Sequence, residues 1–194
     1  MRYLIVCGGK IDKEFGLNEI KTDGIDAIIA ADSGMDFLYE NGVTPDIIVG
    51  DFDSATTKAL EFFERKGQTE IHRLNPIKDD TDTEYAIRLA IREGARSIVL
   101  LGATGSRIDH VLGNISLLGI GLESGTDISI IDTNNRIRMA DRPVTIEKSA
   151  QYGRFVSLIA VTDDNEVSLR GFKYPVTDYS FDRFTSLGIS NEII

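Results

Sequence analysis

Short apolar segments alternate with helix-patterned ones through the first two thirds of the chain, and this alternation narrows the possible folds more than any other feature. Tyr3–Cys7, Ala27–Ala31, Ile47–Val49, Glu70–Leu74 and Ser97–Leu101 are strand-sized, rich in Ile, Val and Leu, and bounded by Gly, Asp or Asn. Between them, Met35–Glu40 stops at Asn41-Gly42, Lys58–Lys66 at Gly67, and Thr83–Glu93 at Gly94; a glycine just past the last turn is a usual helix stop. Tyr85, Ala86, Leu89 and Ala90 share one face of the third helix. Ile108, Val111, Leu112, Ile115 and Leu118 keep the helical period and predict the longest helix, over Ile108–Leu122. Such alternation predicts a Rossmann-like α/β arrangement, a parallel sheet flanked by helices. Ligands of these sheets bind beyond the carboxyl ends of the strands.

From about Thr126 the texture changes. Ile128–Ile131, Arg136–Met139, Val144–Glu147, Phe155–Ala160 and Glu166–Leu169 are strand-sized, with Asn134-Asn135 and Asp163-Asp164-Asn165 as hairpin connections. The expected division is therefore an α/β domain over residues 1–124 and a small C-terminal antiparallel β-sandwich over residues 125–194. About seventy residues make a thin independent core, so the second lobe is expected to pack on its neighbour or on a second subunit. Gly119-Ile-Gly121 follows a helix rather than a strand and reads as a fraying helix end, not a dinucleotide fingerprint.

A net charge of −10 argues against broad nucleic-acid binding, which rests on Lys and Arg neutralising phosphates. It leaves room for a nucleotide, because bound metal brings its own positive charge, and it favours a cationic small molecule. The apolar runs are too short for a membrane span. The N-terminus lacks the apolar core and cleavage site of a signal peptide. The lone Cys7 fits a reducing cytoplasm and a buried small-residue role.

Three segments carry chemistry. In Pro45-Asp-Ile-Ile-Val-Gly-Asp-Phe-Asp-Ser54, Asp51 and Asp53 stand just past a strand; if the chain stays extended there, both carboxylates point the same way. Converging carboxylates repel unless protons or a cation intervene, and Mg²⁺ is the hard cation suited to oxygen ligands. A solvated turn, with Asp53 or Ser54 capping the next helix, remains the alternative. In Lys78-Asp-Asp-Thr-Asp-Thr-Glu84, Thr81 and Glu84 have capping-box spacing. Capping accounts for some of these acids; Asp82 as a third metal carboxylate, with Lys78 reaching phosphate, accounts for more. In Gly102-Ala-Thr-Gly-Ser-Arg-Ile-Asp-His110, small residues permit close backbone approach and a helix start favours an anion. Arg107 can grip phosphate in bidentate fashion. The bland alternatives are a surface pair between Arg107 and Asp109 and a structural His110. No Walker GxxxxGK[ST] pattern occurs anywhere in the chain.

Together with Ala30-Ala-Asp-Ser-Gly34, Gly171-Phe-Lys-Tyr174 and Thr185-Ser-Leu-Gly-Ile-Ser-Asn-Glu192, these segments resemble the thiamine pyrophosphokinases in order and spacing, over nearly the whole chain. The resemblance implies transfer of a pyrophosphoryl group from ATP to the hydroxyethyl oxygen of thiamine, giving thiamine diphosphate and AMP. It also implies a cytoplasmic homodimer, with an α/β nucleotide-binding domain, a β-rich thiamine-binding domain, and thiamine sites shared between subunits. By similarity Asp51, Asp53 and Asp82 hold Mg²⁺, with Asp46 in support. Asp32, Ser33, Gly34, Lys78, Thr81, Gly102, Thr104, Gly105 and Arg107 serve the nucleotide. Asp109, His110, Tyr174, Ser190 and Asn191 serve thiamine, and Asp51, Asp53, Asp82, Arg107 and Asp109 form the catalytic group. Two departures stand out: the chain has no Trp, so stacking on thiamine falls to Tyr174, and Ser33 replaces a second glycine. A metal-dependent phosphohydrolase and a non-catalytic nucleotide or thiamine sensor are the competing readings.

Overall fold

The computed structural model describes every residue except Asp53, Ser54, Ala55, Pro76, Lys78 and Ser106, and the Thr57 side chain. Strands β1 (Arg2–Val6), β2 (Ala27–Ala31), β3 (Ile47–Gly50), β4 (Glu70–Arg73), β5 (Ser97–Leu101), β6 (Asp127–Ile131) and β7 (Arg136–Arg138) form one sheet in the order β4-β3-β2-β1-β5-β6-β7. All pairs are parallel except β6 with β7. The chain winds outward from β1 to β4, then returns to place β5 on the other side of β1. The order therefore reverses between β1 and β5, the position where open α/β sheets form a ligand crevice.

Burial on both faces explains why these strands are apolar throughout rather than alternating. Ile5, Ile29, Val49, Ile98, Leu100 and Ile130 face one layer, with Ala86, Ile87 and Ala90 of α4 (Asp82–Arg92) and Leu118 of α5 (Ile108–Ser124). Leu4, Val6, Ala30, Ile48, Val99 and Leu101 face the other, with Met35 and Leu38 of α2 (Gly34–Glu40) and Leu60 and Phe63 of α3 (Thr57–Lys66). Gly67 stops α3 and Gly125 stops α5, each in the left-handed conformation. Cys7 lies in the first layer, and burial pushes its thiol up to about 11, which makes it the inert small residue expected.

Three elements of residues 1–142 differ from expectation. The helix α1 (Lys13–Ile20) was not anticipated: Gly16 is its one buried residue, so no apolar stripe marks it, and it is fixed instead by Asp12 accepting from the Phe15 amide at 2.9 Å. Residues 127–138, expected to open the β-rich lobe, complete the large sheet. Ile128–Ile131 pairs in parallel with β5, and Asn134-Asn135 turns the chain into β7 at the sheet edge. Gly121 is not a frayed end: it is buried inside α5, where an added Cβ would lie 2.5 Å from the Thr126 carbonyl oxygen.

The chain divides into compact units 1–142 and 143–194. In the second, β8 (Asn165–Leu169) and β9 (Val176–Phe181) form a two-stranded antiparallel sheet with a register shift between Val167 and Leu169. Isolated bridges join Val156 to Asn191 and Phe172 to Ile193. The segments 144–147 and 155–160 lie outside the β8–β9 ladder. Among the described residues no helix is long and apolar enough to cross a membrane.

Candidate active site

The carboxyl edge of the sheet gathers acids from three separated segments. Asp32 follows β2, Asp51 follows β3, and Asp82 is the first residue of α4. One carboxylate oxygen from each lies within 4.8 Å of the others. Thr81 caps α4, its hydroxyl accepting from the Glu84 amide at 3.2 Å, and so sets where Asp82 projects. The backbone turns sharply here: Asp32 has φ 48° and Phe52 φ 64°. Positive φ at non-glycine residues stores strain and concentrates at functional sites. Phe52 is therefore not extended, and the alternation argument for Asp51 and Asp53 does not apply. Asp53, Ser54 and Lys78 lie outside the described residues.

Burial raises the carboxyl pKa of Asp32; the Ser33 amide opposes this, while the charges of Asp82, Asp51 and Asp36 push it further up. Its Oδ1 is buried and has no hydrogen-bond partner among the described residues. Clustered carboxylates with one orphaned oxygen fit a hard divalent cation, which satisfies that oxygen and cancels the repulsion. Asp46 is set apart from them. It precedes β3 at the amino end of the strand, and its Oδ2 accepts from the Ile28 amide at 2.7 Å.

Glycines bring the strand ends close. A Cβ on Gly34 would lie 1.9 Å from the Val6 carbonyl oxygen, so the start of α2 packs directly on β1. Ser33, the departure noted above, fits because Gly8 faces it: a Cβ on Gly8 would lie 2.1 Å from the Ser33 hydroxyl. The β5–α5 loop runs beside them. Gly102 has φ 73°, and its carbonyl accepts from the Gly9 amide at 3.0 Å. Thr104 donates to Asp132 at 2.7 Å. Thr104 and Gly105 join Lys10, Phe15, Asp132 and Asn134 around a cavity of ≈ 430 Å³ at the carboxyl ends of β1, β5 and β6.

Arg107 and Asp109 do pair. The guanidinium reaches both carboxylate oxygens, at 3.2 and 2.6 Å, and the His110 amide adds a bond at 3.0 Å. The Arg107 hydrogen bond holds the Asp109 carboxyl down at about 2. His110 itself is exposed.

In the second unit, Tyr174 and Asn191 come together. The Tyr174 amide donates to the Asn191 side-chain oxygen at 3.1 Å, and the Asn191 amide group donates to the Tyr174 carbonyl at 2.8 Å. Asn191 is buried, whereas the Tyr174 ring is exposed and has the Lys173 ammonium 5.6 Å from its centroid. Ser190 has φ 62°, and its amide donates to Ser157 at 3.0 Å. Sequence reasoning gave Asp32 to the nucleotide and Asn191 to thiamine but missed the place of Asp32 in the acid cluster and the hold of Asn191 on the Tyr174 backbone, and it did not single out Asp132 beside Thr104. Only Asp32 carried a usable signal, since it follows β2 as Asp51 follows β3.

The architecture is that of a doubly wound α/β unit with an acidic cluster at the carboxyl edge of its sheet, followed by a small β unit. Residues 21–130 match the family model for the thiamin pyrophosphokinase catalytic domain, and residues 143–194 match that for the thiamin pyrophosphokinase vitamin B1 binding domain. The chain belongs to the thiamin pyrophosphokinase family of enzymes. It is 36% identical over 168 residues to thiamine pyrophosphokinase of Bacillus subtilis, covering 86% of this chain and 78% of that one. A Bacillus subtilis thiamine pyrophosphokinase crystal structure matches with a TM-score of 0.87 at 33% identity, covering 100% of this chain and 90% of that one. The Geobacillus thermodenitrificans structure matches at 0.81 and 31% identity, covering 100% and 89%.

Proposed function

We propose that the protein transfers the pyrophosphoryl group of ATP to the hydroxyethyl oxygen of thiamine, giving thiamine diphosphate and AMP. Family membership supports this reading, and the convergence of Asp32, Asp51 and Asp82 carries its chemistry. In the reaction the hydroxyl oxygen bonds to the β-phosphorus, the bond from that phosphorus to the α-phosphate oxygen breaks, AMP leaves, and the hydroxyl proton passes to solvent or a nearby base.

Asp32, Asp51 and Asp82 would hold Mg²⁺, with Asp53 a further candidate outside the described residues. The ion would neutralise the triphosphate and the charge that builds on its oxygens. Arg107, at the start of α5, serves phosphate oxygens, and the 102–105 backbone shapes the wall beside them. Asp109 positions the substrate rather than accepting its proton, because a carboxyl held near 2 is a poor base. A loose transition state has little need of a strong one. The exposed Tyr174 ring, already near one ammonium, suits the thiazolium cation of thiamine.

The second unit also supports a homodimer. Phe155, Ile159, Val161, Phe184 and Leu187 are each more than half exposed and are the apolar side chains such a pairing could cover. A second copy is the occupant proposed; size-exclusion chromatography with light scattering should report twice the mass of the chain.

ATP labelled at the β-phosphate tests the activity. The label should appear in thiamine diphosphate, with one AMP formed for each. Label in ADP that depends on thiamine would mean ordinary phosphoryl transfer, and label in ADP or pyrophosphate formed without thiamine would mean a phosphohydrolase.

A further inference from the structure

We infer that Asp132 is a positioning residue for pyrophosphoryl transfer: it fixes the glycine-rich β5–α5 loop by holding the Thr104 hydroxyl. The inference rests on the activity proposed above.

Three consecutive residues of this loop are each held from a different element. The Gly102 carbonyl accepts from the Gly9 amide at 3.0 Å, beyond β1. The Ala103 carbonyl accepts from the Asn114 side chain at 2.8 Å, on α5. The Thr104 hydroxyl donates to Asp132 Oδ2 at 2.7 Å, beyond β6. The first two contacts fix backbone. The third is the one of these that is charge-assisted and that sets a side chain, and such bonds are about twice as strong as neutral ones.

Asp132 is itself immobilised. Its Oδ1 accepts from the backbone amides of Asn134 and Asn135, each at 2.7 Å. The Asn135 side chain reaches both oxygens at 3.0 and 3.1 Å, and the Asp132 amide donates to the Asn135 carbonyl at 2.9 Å. The turn between β6 and β7 therefore presents Oδ2 to Thr104 in one orientation. Burial alone would raise the Asp132 pKa; the bonds from Thr104, Asn134 and Asn135 outweigh it and hold the carboxyl low. The acceptor stays ionised at neutral pH. Leu101 and Ile131 are register partners in adjacent strands, so the loop and the turn that holds it leave the sheet side by side.

This arrangement preorganises one wall of the cavity. Transfer to a phosphorus with little covalent help from the protein depends on placement, and a displacement of about 1 Å can cost 100-fold in rate. Asp132 touches no reacting atom in this scheme and acts through Thr104.

The test is a double-mutant cycle on kcat/KM for ATP, with circular dichroism and thermal melting alongside. Asp132→Ala should lose about 10- to 100-fold, the equivalent of one charge-assisted hydrogen bond, with KM for thiamine unchanged. Asp132→Asn should recover part of that loss, because the amide can still bond both the turn and the hydroxyl. Thr104→Val should lose activity while Thr104→Ser keeps it, and Asp132→Ala should add nothing in the Thr104→Val background. Losses that multiply in the double variant, or full activity in Asp132→Ala, would overturn the inference. If Asp132→Ala does not fold, the Thr104 pair decides, and equal activity of the Val and Ser variants rejects the clamp. If the wild-type protein forms no thiamine diphosphate, the activity reading fails instead. Hydrogen exchange then tests the clamp alone: the 103–105 amides should exchange faster in Asp132→Asn than in wild type, and unchanged exchange would refute it.

Discussion

The two compact units reach order by different means. In residues 1–142 the strands are sealed between helices, and Ile5, Ile29, Ile48, Ile98, Leu100 and Ile130 are wholly or almost wholly buried. In residues 143–194, Phe181 is the one buried hydrophobic side chain among those described, while Phe184 is 86% exposed. Polar ties do the holding there. Asn191 clamps Tyr174, and Glu192 bonds Lys173 at 2.9 Å and Arg154 at 3.2 Å. A unit of about fifty residues has too little interior for anything else. The first unit can therefore present acids on a rigid edge, whereas the second presents its ring on a hydrogen-bonded support. Catalysis and recognition should separate along the same line.

The largest effect should come from the sealed layers. Phe63 is fully buried against α2 and the sheet, so Phe63→Ala should destabilise the first unit by about 3–5 kcal/mol. Urea denaturation should show a lower midpoint at unchanged slope, and amides of β1 and β5 should lose protection with those of α3. Loss confined to α3 would show that the sheet is not one cooperative body, and the contrast between the units would weaken.

Next should come Asp82→Asn. Asparagine can occupy the first turn of α4, so the fold should survive. Turnover should fall about 100-fold or more, the range seen when one preorganised electrostatic group is lost, while KM for thiamine stays constant. In wild type, Mg²⁺ should raise the melting temperature, since a ligand of the native state stabilises it; the variant should lose most of that rise. A thiamine KM that moves with kcat would blur the division of labour.

The second unit should answer in the opposite way. Asn191→Ala leaves the Tyr174 amide and carbonyl unpaired, at a local cost of about 1–3 kcal/mol. Tyr174→Ala removes the ring itself, worth about 0.5–2 kcal/mol against a cation. Both should raise KM for thiamine with KM for ATP unchanged. If ATP is the substrate affected, the aromatic support belongs to the nucleotide and the assignment fails.

The same contrast governs what could be read from sequence. Buried parallel strands are short apolar runs whatever their neighbours, so β1 to β5 were legible, and glycine stops marked α2 to α4. A strand does not carry the identity of its partner. Ile128–Ile131 reads equally well in either unit, and only tertiary pairing with β5 assigns it. Asp51 and Asp82 were legible from a strand end and a cap. Asp46 looked near Asp51, yet a four-residue strand lies between them and carries the chain about 13 Å. Asp132 and Asn191 make contacts distant in sequence, 28 residues from Thr104 and 17 from Tyr174; the motif around Asn191 was legible but not its hold on Tyr174, and no local pattern marks Asp132. The β9 strand was hidden by Asp178, a residue type depleted in strands, which takes φ 47° in the middle of this one.

The smallest effect concerns Asp109, and it sharpens the comparison because each unit has a carboxylate depressed by a cationic neighbour, half-buried in Glu192 and exposed in Asp109. Glu192 is lowered by Lys173 first and Arg154 second, partners far along the chain. Asp109 is lowered by Arg107, two residues away, to about 2 from an ordinary 3.8. A depressed carboxyl adds stability above its unfolded pKa and loses it as pH falls through the folded one. The Asp109 contribution is therefore complete above about pH 4 and fades toward pH 2. Because the pair is exposed, solvent screening keeps that contribution small. Carboxyl-carbon NMR should find the Asp109 midpoint near 2 in wild type and back in the ordinary carboxylate range in Arg107→Ala, with Glu192 unmoved. An Asp109 midpoint near 4 in the wild-type protein would mean that Arg107 is not engaged with it in solution. Asp109 would then regain the basicity needed to accept the thiamine hydroxyl proton, and its purely positional role would have to be abandoned.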